Sequence, residues 1–428
     1  MTNLKQQTFS VLAAGAMLLN VATPALAGTY EISGNGSGSD NDIVVESTNT
    51  TTVNQNNTAN VTNNIKTKAD TGDNKANYNT GGNVEISTGN AGVTASVSNN
   101  LNSNVAEVDC CAANDTDVTI SGNGSKSDNK VGLVNSNTTK VNQKNVANVT
   151  NDVDAKADTG DNKAGANTGG DVVITTGKAV VNVDVDTVAN SNVARVGSGN
   201  SATPTPSASF MIIGNGSGSD NEIAAALTNA TTLGQNNTAN ITNDVDVDAD
   251  SGDNKANYNT GGDVVITAGY PVGAVATVDV DNLVNFNAAD VDCGCEFDVT
   301  AKISGNGAEA DDKNHKNWWS KWFDKDQNYI GLTLDNTQTV GQANLANLTN
   351  DVDVDDAESG DNEASYNTGE ADTDPSITTG AAISDTSVSN EGNSNILGDL
   401  SLEMPEMPSN VEVSFSFAAM MAFFGMSF

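Results

Sequence analysis

Basic side chains are scarce in this chain. Its 428 residues include 18 Lys or Arg against 55 Asp or Glu, a formal net charge of −37. Arg195 is the only arginine and His315 the only histidine. Phosphate backbones are gripped by Lys and Arg, so nucleic acid drops out as a partner class. One histidine makes no His cluster, and the sequence holds neither a phosphate-cradling loop nor a redundant Ser/His/Asp set, so nothing points to an enzyme. A polysaccharide-cleaving site, which would need an acidic cleft with a basic partner, is disfavoured by the single arginine. Aromatic residues are also few, at 4%. That is lean for a globular interior, but sufficient for a narrow stack filled by Val, Ile and Ala.

What is present is alternation. In Asn237–Asp253, Ala239, Ile241, Val245, Val247 and Ala249 fall on every second position, with Thr, Asn and Asp between them. A period of two marks extended chain with one dry and one wet face. The segment closes on Ser-Gly-Asp-Asn, residues that tolerate positive φ or bond their own backbone. It reads as a strand–corner–strand unit ending in a turn. Disorder, the other reading of so much Asn, Asp, Thr and Gly, is countered by the strictness of this pattern.

The unit recurs from Asn57, Asn145 and Asn344, with turn ends at Asn74, Asn162 and Asn362. A longer period contains it. Gly-Asn-Gly-Ser begins at Gly34, Gly122 and Gly214, and Gly-Asn-Gly-Ala at Gly305, in steps of 88, 92 and 91 residues. Within the first long repeat, Asn41, Asn57, Asn74 and Asn90 are 16, 17 and 16 apart. A coil of about 16–17 residues holds two strands and two turns at usual lengths and must stack on its neighbours to bury its apolar face. The expected fold is all-β, a parallel β-solenoid (β-helix) of ~16–17-residue coils in four ~90-residue repeats.

In order, residues 1–27 read as a secretory signal peptide: Lys5 in the n-region, an apolar Val11–Val21 too short to span a bilayer, and Ala25-Leu26-Ala27 as the cleavage site, leaving Gly28 as the mature N-terminus. Repeat 1 covers 28–117 and repeat 2 covers 118–199. A Pro/Ser/Thr linker, 200–209, leads to repeat 3 at 210–299. Repeat 4, 300–400, carries an insert at 308–327 that holds all three tryptophans, and 401–428 is an apolar tail. Inward positions in repeat 1 include Ile43, Val45, Ala59, Val61, Ala76, Tyr78, Val84 and Ile86.

Several residues could carry chemistry. Asp73, Asp161, Asp253 and Asp361 precede the turn asparagine in each repeat. They are expected to close Asx-turns, with calcium at stacked turns as the alternative. Asp244, Asp246, Asp248 and Asp250 could form a calcium ladder, but earlier repeats place Lys156, Lys66 and Lys68 at equivalent positions, which suits a solvated face better. Asn63, Asn151, Asn243 and Asn350 sit in phase with the inward residues, at the expected corner, as hydrogen-bonded ladders. Asn60, Asn148, Asn240 and Asn347 match the glycosylation triplet, a match the repeat itself explains.

Cys110 and Cys295 are 185 residues apart, about eleven coils, or about 50 Å at ~4.8 Å per coil. That exceeds disulfide reach. The expected states of Cys110, Cys111, Cys293 and Cys295 are therefore local pairs, intermolecular bonds or free thiols. Trp318, Trp319, Trp322 and Phe323, set among lysines, are the expected contact surface for a sugar, a membrane interface or a protein. The tail would cap the stack, assemble with another subunit or touch a membrane.

Gln55-x-Asn57-x-Ala59-x-Val61-x-Asn63 resembles the curlin repeat, as do the matching stretches from Gln143, Gln235 and Gln342. Asn stands where curlins have a second Gln, and the likeness covers about nine residues of each long repeat. Curlins are secreted subunits of bacterial surface amyloid fibres, so the resemblance implies an extracellular protein of stacked strands. The functional expectation is a secreted or cell-surface structural or adhesive repeat protein, self-assembling or joined to other envelope components or polysaccharide. The alternative is an extracellular solenoid binding carbohydrate or ice through Thr58, Thr62, Thr238 and Thr242.

Overall fold

The structure, a computed structural model, describes residues 19–21, 28–110, 116–197, 207–293, 298–305, 328–369 and 375–398. The Trp-rich insert, Cys111, Cys295, most of the 200–209 linker, the 401–428 tail and the expected leader other than Leu19–Val21 lie outside them. Every regular element described is a β-strand, and every strand pairing is parallel.

A three-residue strand, β1 (Leu19–Val21), precedes the repeats. Repeat 1 contains β2 (Gly28–Ser33), β3 (Asp40–Asp70), β4 (Val84–Ser87) and β5 (Ala91–Val108). Repeat 2 contains β6 (Thr116–Ser121), β7 (Asp128–Asp158), β8 (Val172–Thr176) and β9 (Ala179–Gly197). Repeat 3 contains β10 (Ser207–Ile213), β11 (Asp220–Asp250) and β12 (Val264–Asp292). Repeat 4 contains β13 (Asp298–Ser304), β14 (Tyr329–Glu358) and β15 (Ser376–Leu397).

Equivalent strands stack into sheets. A long sheet runs β14-β11-β7-β3 and a short sheet runs β13-β10-β6-β2. A return sheet collects β4, β5, β8, β9, β12 and β15, with β1 on its edge beside Ala106–Val108. At 31 residues, a long-sheet strand has a contour of about 100 Å, whereas four strands stack to only about 15 Å.

The stacking unit is therefore the whole long repeat. Asp40 pairs with Asp128, Asp128 with Asp220, and Glu222 with Tyr329. This corrects the 16–17-residue coil: Asn41, Asn57 and Asn74 lie along one rung, and each stacks on its counterpart in the next repeat. Nor does the chain turn a corner between Asn237 and Asp250, because β11 is one unbroken strand through to Asp250.

Each rung closes on itself in two layers. The short sheet covers the start of the long strand: Ile120, Phe210 and Ile212 pack on Val131, Leu133 and Ile223. The return sheet covers the rest, running back so that Gln55 faces Val105, Asn57 faces Ser103 and Asn63 faces Asn99. Val153, Ala155, Val245 and Val247 pack there against Val183, Val185, Val278 and Val280. Strict alternation follows from this arrangement, since each strand has a packed face and a wet face. Of the expected inward residues, Ile43, Val84 and Ile86 are buried and Val45, Val61 and Ala76 pack against the core. Tyr78 does not: it is 83% exposed, in the loop after β3 at φ 61°.

The rung length also overturns the cysteine argument. Cys110 and Cys293 form a disulfide across 183 residues, with Cα atoms 5.8 Å apart. The separation is close to two repeat steps, so these residues stand nearly above one another. Val108 and Val291 both pair with Val196 of the intervening rung. The intervening strand ends at Gly197, and the two cysteines meet just beyond it.

Candidate functional site: a buried amide lattice and the end rungs

Polar residues form a strip through the middle of the apolar core. Asn145, Asn151, Asn237 and Asn243 of the long sheet, and Asn192, Asn282, Asn285 and Asn287 of the return sheet, are all nearly inaccessible to solvent. A buried amide destabilises the fold unless bonded, and here identical amides bond from rung to rung. Asn63 donates to Asn151 at 2.7 Å, Asn151 to Asn243 at 2.7 Å, and Asn243 to Asn350 at 2.6 Å. The expected ladder is present, placed in mid-strand instead of at a corner.

A second motif ties the two layers together. Asn57 donates to Asn104, Asn104 to Asn145, Asn145 to Asn192 and Asn192 to Asn237, each at 2.8–2.9 Å. The zigzag continues through Asn287, Asn344 and Asn395 at 2.9 Å per step. Gln55, Gln143, Gln235 and Gln342 run beside it and reach the carbonyls of Val105, Val193, Ala288 and Ile396. Fully satisfied networks of this kind specify one register, because a slip would strand every member.

The return-sheet members were not singled out from the sequence. Their signal was available: Asn-x-Asn recurs at Asn102/Asn104, Asn190/Asn192, Asn285/Asn287 and Asn393/Asn395. The first asparagine of each pair has φ between 59° and 66°, a region Asn enters more readily than most residues. Skipped in the strand pairing without a change of register, Asn102, Asn190 and Asn285 turn their side chains onto the carbonyls of Val146, Thr238 and Leu345.

The turn aspartates form a column of equivalent positions. Asp73 and Asp161 have φ 64° and 59°, and the Asp361 amide donates to the Asp253 carboxylate at 2.8 Å. Among the described residues no group of three or more His, Cys, Asp or Glu is placed to hold a metal ion. The Asx-turns are made by the strand-ending aspartates instead: Asp70, Asp158 and Asp250 accept from Gly72, Gly160 and Gly252 at 2.7–2.9 Å. Gly252 is required for space, since a Cβ there would strike the Cα of Gly360 in the next rung.

The outer faces are acidic and titrate unusually. Partial burial, then Asp184, Asp281 and Asp279, pushes Asp186 up to about 6. Burial also raises Asp250 to about 6, against the opposing Gly252 N–H bond, with Asp158 adding to the rise. Ion pairs form between rungs: Lys66 with Asp154 at 3.3 Å, and Lys156 with Asp248, which raises the Lys156 pKa. Thr62, Thr150, Thr242 and Thr349 form an exposed row on the long sheet. The Thr58 and Thr238 column is interrupted by Val146 and Leu345.

The last rung is more exposed than the rung beneath it. Val280 and Ile223 in rung 3 are fully buried, whereas the equivalent Val388 and Ile330 in rung 4 are 44% and 41% exposed. Among the described residues, the backbone edges of β3 and β14 each have a strand on one side only.

Comparison with models of known families, with curated proteins and with solved structures found no match for the chain.

Proposed function

We propose that this is an extracellular structural protein, a secreted or cell-surface repeat scaffold whose role is mechanical or adhesive. The observation that carries this reading is the identity of the amide side chains down the inward-facing Asn and Gln columns. Asn63/Asn151/Asn243/Asn350 and Gln55/Gln143/Gln235/Gln342 keep their residue through all four rungs, and their hydrogen bonds go to one another. Residues kept for chemistry on a substrate converge on one place, whereas these repeat at every level of the stack. The acidic outer faces favour solubility and cation attraction. The leader at 1–27 and the curlin-like stretches agree with export, and other envelope components or polysaccharide are the partners this role implies.

Immunogold labelling of intact cells and protease shaving test the reading. Label and cleavage at the outer surface or in the medium are expected, and retention inside the cell would overturn it.

A second reading is favoured by the exposed Thr62–Thr150–Thr242–Thr349 row: a flat face recognising carbohydrate or ice. Binding on a glycan array, or thermal hysteresis lost in Thr150→Lys/Thr242→Lys, would support it over the scaffold.

A further inference from the structure

We infer that the partner of the open end rungs is a second copy of this chain, with rung 1 of one molecule seated on rung 4 of another in the register already used between rungs. The inference rests on the scaffold reading and names its assembly surface. A head-to-tail contact of this kind does not close on itself and generates a filament.

Direction supplies the first argument. In each inner Asn ladder the lower rung donates to the upper: Asn41 to Asn129 to Asn221 to Asn328, and Asn74 to Asn162 to Asn254 to Asn362. The Gln ladder and the outer Asn60 ladder run the opposite way. Every ladder is polar, so rung 4 ends in the groups that rung 1 complements. A rung 4 to rung 4 contact would set donor against donor in each inner Asn column.

Charge supplies the second, independent argument. Reading up one column gives Lys66, Asp154, Asp246 and Asp353, and its neighbour gives Lys68, Lys156, Asp248 and Asp356. A third gives Lys75, Lys163, Lys255 and Glu363. A fourth, in the short sheet, has the opposite sense: Glu31, Thr119, Met211 and Lys302. Placing rung 1 above rung 4 brings Lys66, Lys68 and Lys75 onto Asp353, Asp356 and Glu363, and Glu31 onto Lys302. Two columns oppose it, Asp70 above Glu358 and Asp73 above Asp361, so unlike pairs outnumber like ones at the junction. The same vertical pairing is already used inside the molecule by Lys66 with Asp154.

Aromatic stacking extends the register. Tyr258 and Tyr366 stack at 4.9 Å with planes 3° apart. Tyr78 holds the equivalent place in rung 1 and is exposed, as is Tyr366. The junction sets Tyr78 of one copy over Tyr366 of the next. Among the described residues only β1 lies on the rung 1 edge, over Ala106–Val108, and cleavage of the expected leader before Gly28 would remove it.

The test uses the protein from Gly28 onward. Two charge variants are made: Lys66→Asp/Lys68→Asp/Lys75→Asp, and Asp353→Lys/Asp356→Lys/Glu363→Lys. Each alone is expected to raise the critical concentration for filaments, read by sedimentation and electron microscopy, at least tenfold. Mixed one to one they are expected to recover it, because each then meets its complement. Thr62→Cys/Thr349→Cys, on the wet face, is expected to give a ladder of covalent oligomers on oxidation. The register-shifted pair Thr62→Cys/Thr333→Cys is not. Filaments that form without the in-register cross-link, or that ignore the charge reversals, would overturn the inference and leave the scaffold reading standing. Persistence of the wild type as a monomer at the cell surface would do the same.

Discussion

Cys110 and Cys293, 183 residues apart in sequence, have Cα atoms 5.8 Å apart and share a disulfide. Asn137 donates to the Cys110 carbonyl at 2.5 Å, and Asn336 donates to that of Cys293 at 2.8 Å. Rungs 1 and 3 are thus clamped at the point where the strand of rung 2 ends. A bridge closing so long a loop removes much of the unfolded chain's freedom. Reduction, or Cys293→Ser, is expected to lower unfolding free energy by about 2–5 kcal/mol. Denaturant titration with and without reductant measures it, and mass spectrometry of unreduced peptides identifies the pair.

Asn243 accepts from Asn151 and donates to Asn282 and Asn350 in the core. Asn243→Ala leaves those partners unmatched, and a loss of about 2–4 kcal/mol is expected. Asn240, whose ladder lies on the wet face, provides the comparison. Asn240→Ala should cost under about 1 kcal/mol, and equal losses at the two positions would refute the buried lattice.

At Gly252 an added methyl would meet the backbone of rung 4. Gly252→Ala is expected to destabilise by about 1–3 kcal/mol through overpacking. Gly36 has open space around its would-be Cβ, so Gly36→Ala should stay within about 0.5 kcal/mol of the parent. Thermal melts of the two variants side by side decide the matter.

Acidification should stabilise the fold over a defined window. Asp186 and Asp250 titrate at about 6 in the folded chain, above the ~3.9 of an unfolded aspartate. Between those values the native state holds more protons, so stability rises as pH falls from above 6 towards 4. Below that window the gain ends, and Asp70, held low by the Gly72 N–H bond and by Lys68, begins to act in the opposite sense. Midpoints measured from pH 7.5 to 4 should show the rise, and Asp186→Asn should flatten it.

The alternation of Val and Ala with Asn, Asp and Thr determined that this chain is strand with one packed face, and the spacing of Gly-Asn-Gly-Ser determined that it is repeated four times. The buried ladder at Asn63, Asn151, Asn243 and Asn350 was legible for the same reason, since an inward amide demands a like neighbour. Which periodicity stacks was decided only in three dimensions. A period of two states which face a side chain takes but is silent on where the chain reverses, and the asparagine beat of 16 and 17 fits a short coil equally well. What selects the long rung is contact across the layers: Gln55 on Val105, Asn57 on Asn104 and Asn63 on Asn99 hold the strand straight against its return partner. The Cys110–Cys293 bond follows from the same choice, because partners two repeats apart in sequence become neighbours only when a whole repeat spans a single layer.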